Sequence, residues 1–159
     1  MITFNEGKVR FHYRAAGVAL SGNRVLLHRG EKDDFWSLPG GRVELLEPSE
    51  DTLRREMLEE LGIEIHVGRL LWVVENFFEY GDESHHELGL YFLMMLPQDS
   101  PLYWQSEPFI GDEEGIKLIF SWHQLDELDK IALYPTFLRD ALRSLPEATL
   151  HIVHIDAKE

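Results

Sequence analysis

The chain has 159 residues, 44% of them hydrophobic and 28% charged, a balance that excludes a disordered chain and fits one domain of ordinary size. Fifteen Lys+Arg against 29 Asp+Glu leave a net charge of −14, which repels a phosphate backbone and argues against sequence-independent nucleic-acid binding. Without cysteine there is no disulfide, thiol nucleophile or Cys-based metal site, and no apolar run is long enough to span a bilayer, so a soluble cytoplasmic protein is expected.

Residues 9–20 read as a strand, Gly22-Asn23 as a turn and 24–28 as the returning strand. A polar stretch, 30–34, leads to FWSLPGGRVELLE, where Pro39-Gly40-Gly41 breaks regular structure. Ser49 stands where a helix cap is wanted, and Glu50 and Asp51 suit the positive end of that helix. Leu53, Met57 and Leu61 recur every four residues, and Gly62 closes the stripe. Residues 63–80 and 87–96 are β-rich runs joined near Gly81, with His85, His86 and Glu87 at a hairpin edge; HHE lacks the helical spacing of a metal motif. A long acidic loop over 97–115 precedes a strand at 116–122, a second amphipathic helix at 135–145 and a last strand, Leu150–Ile155. The expected architecture is an α/β sandwich on a mixed sheet.

The chemistry concentrates in residues 41–63. On a helix Glu56, Glu59 and Glu60 stand at i, i+3 and i+4, so three carboxylates share a face and repel one another. A cation removes that repulsion, and oxygen-only ligands select a hard ion such as Mg²⁺ or Mn²⁺. Taken alone, EMLEE is also what a solvated acidic helix face looks like.

Its surroundings are more specific. Gly41, Glu47, Arg55, Glu56, Met57, Glu59, Glu60, Gly62 and Ile63 fall on the pattern G-x5-E-x7-R-E-U-x-E-E-x-G-U, with U apolar. At average residue usage that match arises by chance about once in ten million chains. It resembles the signature of the Nudix hydrolases. The resemblance implies one Nudix domain over 1–159, an α/β/α sandwich around a curved mixed sheet, with the box as a loop–helix–loop. It also implies hydrolysis of a nucleoside diphosphate linked to a moiety X, by water attack on phosphorus.

By the same resemblance Glu56, Glu59 and Glu60 are metal ligands, one of them a candidate base. Glu47 and Arg55 form the pair that orients them, and Gly40 and Gly41 let backbone approach phosphate. Such enzymes often recruit a further acid, here sought among Asp112, Glu113 and Glu114 with Glu114 favoured, and often dimerise. Tyr80, 17 residues beyond Ile63, is a candidate substrate contact, as are Arg29 (with Arg10, Lys32 and Arg42 as local cations) and Trp36, which with Phe35 either stacks a base or packs in the core. Where the usual box has glycine before its first glutamate this chain has Leu46, for which a positive φ is costly. The alternative to an enzyme is a catalytically silent nucleotide-binding module. Such modules commonly erode the box, and here it is intact.

Overall fold

The two longest strands, β6 (His66–Tyr80) and β7 (Glu83–Met95), form a hairpin around Gly81, whose φ of 64° suits a residue without a side chain. The computed structural model describes residues 1–156, so the last three residues of the expected domain lie outside the described part. Strand β7 also runs parallel to β2 (Val9–Val18), and β6 parallel to the C-terminal β10 (Leu150–Ile155). With β1 (Thr3–Glu6) and the short β5 (Gly40–Arg42), both antiparallel to β2, these make a six-stranded mixed sheet. A second, four-stranded sheet has the order β3 (Leu20–Ser21), β4 (Arg24–Gly30), β9 (Ile116–Gln124) and β8 (Phe109–Glu113).

Adjacent strand residues point to opposite faces, and β7 uses both. Tyr91 joins Trp72, Leu133 and Leu138 in one buried cluster, on the side of the short α2 (Leu138–Ala141). Phe92 and Met94 join Phe120 in a second cluster with Leu53 and Met57 of α1 (Ser49–Leu61). The large sheet therefore carries a helix and a core on each face. No helix among the described residues is long and apolar enough to cross a membrane.

Helix α1 ends as its sequence indicates: Gly62 has φ 68°, and its N–H donates to the Leu58 carbonyl at 2.9 Å. Its start differs from expectation. The cap position falls on Pro48, which has no side-chain acceptor, and Ser49 is the first helical residue. Leu46 does adopt the costly conformation, with φ 63° and its side chain wholly in solvent. An L-residue there costs about 1–2 kcal/mol, more than the unfolded-state entropy a glycine adds. Leu46→Gly should therefore raise the melting temperature by about 2–4 °C, read by thermal unfolding. A lowered value would mean that Leu46 makes a stabilising contact.

Three other elements depart from the sequence reading. The 97–115 loop contains a 3-10 turn, Pro101–Trp104, and strand β8. Side chains from elsewhere pin that turn: Trp122 Nε1 donates to the Leu102 carbonyl at 2.8 Å and Arg24 Nη2 to that of Tyr103 at 2.9 Å. The helix expected over 135–145 shrinks to α2, because i→i−3 bonds at Leu138, Arg139 and Arg143 flank its few i→i−4 bonds. His85, His86 and Glu87 are not at a sheet edge. They lie within β7, paired on both sides, and His85 and Glu87 are buried.

Candidate active site

Helix α1 brings Glu56 and Glu60, one turn apart, against β5 and β8. Two glycines permit this closeness. A Cβ at Gly41 would fall 2.2 Å from Glu56 Cδ, and one at Gly111 would fall 2.9 Å from the Glu60 carbonyl and 2.6 Å from the Phe120 ring. Strand β8 can thus lie on the end of α1 and deliver Glu113. Oxygens of Glu56, Glu60 and Glu113 lie within 4.8 Å of one another. Glu114, the acid favoured from sequence, occupies the β8–β9 turn at φ 48°, and Asp112 accepts from the Gly115 N–H. Glu59 stays outside that cluster, exposed at its rim.

The cluster is electrostatically unfinished. Both Glu60 carboxylate oxygens and Glu56 Oε2 are buried without a hydrogen-bond partner among the described residues. Burial, then the charges of Glu56 and Glu113, push the Glu60 carboxyl up to about 9. Burial raises Glu56 as well, against the pull of Arg55.

Arg55 and Glu47 form the frame. Arg55 Nε and Nη2 donate to the two Glu47 oxygens at 2.8 and 3.0 Å, a bidentate pair. Arg55 Nη1 reaches Glu56 Oε1 at 3.0 Å and Glu59 Oε2 at 3.4 Å, while Nη2 also donates to the Arg42 carbonyl at 3.2 Å. Glu47 further accepts from the Thr52 hydroxyl and the Glu44 N–H. The Arg55 bonds outweigh partial burial and hold Glu47 down at about 2, and the same pairing raises Arg55 above its usual value.

Beside this cluster lies a cleft of about 730 Å³. Its floor is the six-stranded sheet, through His12, Arg14, Asn76 and Glu87; Phe35, Phe78, Tyr80 and Tyr134 line it as well. Arg14 and its partner across the β2–β5 ladder, Arg42, both line the cleft; the Arg14 charge favours the ionised forms of Glu60 and Glu87, and Arg42 feels the charges of Glu87 and Glu113. Of the substrate contacts expected from sequence, Tyr80 lines the cleft, its hydroxyl 3.5 Å from Asp33 Oδ1. Gly40 and Gly41 are buried under α1 and β2 and outside the cleft lining. Arg29 donates to the carbonyls of Gly30, Glu31 and Asp33 and stacks on Trp36, which packs on the core and on His123. Arg14, His12 and Asn76 were absent from the sequence reading. For His12 and Arg14 the signal was a period-two run of polar residues, Arg10-x-His12-x-Arg14, ahead of the buried end of the same strand; Asn76, on β6, carried no such mark.

Comparison with known proteins bears on the fold and the family. The NUDIX domain family model matches residues 11–145. An 8-oxo-dGTP diphosphatase of Buchnera aphidicola (strain APS) is 32% identical over 93 residues, 57% of this chain and 64% of that one. YjhB of Bacillus subtilis is 39% identical over 61 residues, so this chain spans only 29% of its length. Among solved structures, an ADP-ribose pyrophosphatase from Streptococcus suis superposes with a TM-score of 0.60 at 17% identity, covering 88% of this chain and 98% of that one. The MutT protein of Methanosarcina mazei gives 0.62 at 21% identity, covering 87% and 94%. The family model spans most of the chain and contains the box, and the chain belongs to the NUDIX domain family.

Proposed function

We propose that the chain is a cytoplasmic, divalent-metal-dependent pyrophosphohydrolase acting on a nucleoside diphosphate linked to a further moiety, and that residues 1–159 are one such domain. The observation that carries this reading is the convergence of Glu56, Glu60 and Glu113, two of them buried with partnerless oxygens, beside a cleft of nucleotide size. Three carboxylates without nitrogen or sulfur suit a hard cation, Mg²⁺ first and Mn²⁺ next. Glu56, Glu60 and Glu113 would hold it, with Glu59 joining from the rim. Bound there, such an ion neutralises the diphosphate and acidifies water.

The remaining roles belong to the chain's own groups. Arg55, braced by Glu47, fixes the rotamers of Glu56 and Glu59. Glu59, exposed and paired with Arg55 through one oxygen, takes the proton of the attacking water. Arg14 and Arg42 draw the diphosphate along the path from the acidic cluster to the cleft, which a protein of charge −14 needs. Water oxygen bonds to one phosphorus as the bridging P–O bond breaks, leaving a nucleoside monophosphate and a phosphorylated X. The names of the relatives and of a solved structure of like fold support the bond rather than the base, for 8-oxo-dGTP, ADP-ribose and UDP-X all stand among them.

The test is product release from a panel of nucleoside triphosphates and nucleoside diphosphate conjugates, each with Mg²⁺, Mn²⁺ and chelator. Release should fall at least about a thousandfold in chelator. Release undiminished by chelator would sink metal dependence, and no release from any compound would leave a silent binding module.

A further inference from the structure

Behind the floor of the cleft, the other face of the large sheet is open to solvent. Successive residues of a strand point to opposite faces, so the neighbours of the cleft residues His12 and Glu87 look away from the cleft. In register across five strands stand Phe4, Phe11, His86, Phe77 and Ile155, from β1 through β2, β7 and β6 to β10. The rings form a ladder, with centroids 5.1 Å apart for Phe4 and Phe11, 5.3 Å for Phe11 and His86 and 4.6 Å for His86 and Phe77. Two residues along, Tyr13, Leu88, Glu75 and Val153 make a second row on the same face. None of these residues belongs to either buried cluster; α1 packs at the far end of this face, on Phe92 and Met94.

Phe4, Val153 and Ile155 are 59%, 60% and 73% exposed, and the other residues of the two rows are partly so. At about 200 Å² for a large side chain, the two rows expose roughly 600 Å², the most that a monomer ordinarily leaves in one apolar patch. Before the rim is counted, that is already most of the ~800 Å² that each side of a standard interface buries. Charge narrows the choice of partner. Two molecules of charge −14 repel each other and meet most readily where charge is least. Glu75 is the one acid in the two rows, and His151 Nε2 stands 2.6 Å from its Oε2. A matching surface has to be broad, aromatic and almost uncharged, and the chain itself supplies one.

The relief of the face supplies the fit. Phe4, on the edge strand β1, is the most exposed ring of the ladder. A hollow of about 330 Å³ lies between Val9 on β2 and Ile155 on β10, lined on this face by Phe77 and His86 as well. A two-fold axis running along β7 carries β1 of one copy over β10 of the other and keeps the rows level. Phe4 of each copy then comes over Ile155 and the hollow beside it, and His86 meets its own equivalent. We propose that this face joins two copies of the chain, sheet on sheet about 10 Å apart, with Phe4 of each seated in the hollow of the other. The cleft, on the opposite face, stays open in the dimer.

The experiment is sedimentation velocity on the full chain, without ligand, from about 1 to 100 µM protein in low and high salt. A species of twice the monomer mass should form with a Kd of about 10 µM or tighter. Salt should tighten it, because salt screens the repulsion between two acidic proteins and leaves apolar contact intact. Phe4→Lys and Ile155→Lys each replace a largely exposed side chain and make the protein less acidic, so general repulsion falls. Each should nevertheless raise the Kd at least about tenfold. Trp104→Lys makes the same charge change at another exposed apolar residue, on the 3-10 turn away from this face, and should leave the Kd within about twofold. A protein that stays monomeric over the whole range overturns the proposal without any variant having to fold. So does a dimer that salt dissociates, that survives both face variants, or that Trp104→Lys weakens as much as they do. A monomer that instead binds phosphatidylcholine vesicles, and loses that binding in Phe4→Lys, would give the face to a lipid surface and overturn the dimer.

Discussion

Glutamine in place of Glu60 is expected to lower hydrolysis by at least about a thousandfold and, in chelator, to make the protein more stable. Both effects come from one side chain. Glu60 is buried against α1, β5 and β8 with two partnerless oxygens, and its carboxyl is pushed up to about 9. A group whose folded pKa lies above its unfolded value contributes its stability below the unfolded value, near 4.5, and loses it as pH rises toward 9. In that window the metal-free protein either retains a proton that the unfolded chain releases or buries a charge beside Glu56 and Glu113. Glutamine has nearly the same shape and no proton to lose. Its amide can also donate to the free Glu56 Oε2.

The gain should be about 1–3 kcal/mol at pH 8, a few degrees in melting temperature, and close to zero at pH 4. Thermal unfolding across that range, with and without Mg²⁺, reads it directly. Wild type should gain stability on adding Mg²⁺, increasingly so at higher pH, whereas Glu60→Gln should gain little. Glu59→Gln is the internal contrast, since Glu59 is exposed at the rim and its replacement should leave the chelator melt unchanged. Turnover near the wild-type rate in Glu60→Gln, or a variant less stable than wild type in chelator, would remove Glu60 from the set of ligands.

The box was legible because its physics is local. A helix with acids at i, i+3 and i+4, closed by Gly62, can be read from spacing alone, whereas the Leu46 strain was expected because the box that this stretch resembles has glycine there. What was not legible depends on partners distant in sequence. Glu113 joins Glu60 only because Gly111 lets β8 lie on α1, and adjacent acids in a turn carry no mark of which one faces inward. The cleft floor was missed for a related reason. Alternating polar residues in a strand normally mark its solvent face. On β2 and β7 that pattern, His12-x-Arg14 and His85-x-Glu87, faces a cleft instead, because β7 is sandwiched between β2 and β6 and the aromatic residues Phe35, Tyr80 and Tyr134 line the same hollow. The chain order of the sheet, β1-β2-β7-β6-β10, is what converts an apparent hairpin edge into a buried site.

Arg55→Lys keeps the charge of the frame and should still cost about 2–3 kcal/mol of stability at pH 7, with a fall in activity of about a hundredfold. The guanidinium serves both oxygens of Glu47, one each of Glu56 and Glu59, and the Arg42 carbonyl. A single ammonium cannot span those directions. Holding Glu47, it would leave Glu56 Oε1 to join the partnerless oxygens already in the cluster, and the ligands would lose their fixed rotamers. The pH dependence identifies which bond matters. Glu47 is held at about 2, below its usual 4.5, so its contribution is present above pH 4.5 and is lost as pH falls toward 2. In Arg55→Lys its pKa should return toward the ordinary carboxylate range, which flattens that acid limb. The stability gap between wild type and variant should therefore be widest at neutral pH and narrow by half or more at pH 3, measured by urea unfolding at both. A gap unchanged at pH 3 would mean that Arg55 stabilises the fold through the Arg42 carbonyl, a partner that does not titrate, and that the Glu47 pair serves only to aim the ligands.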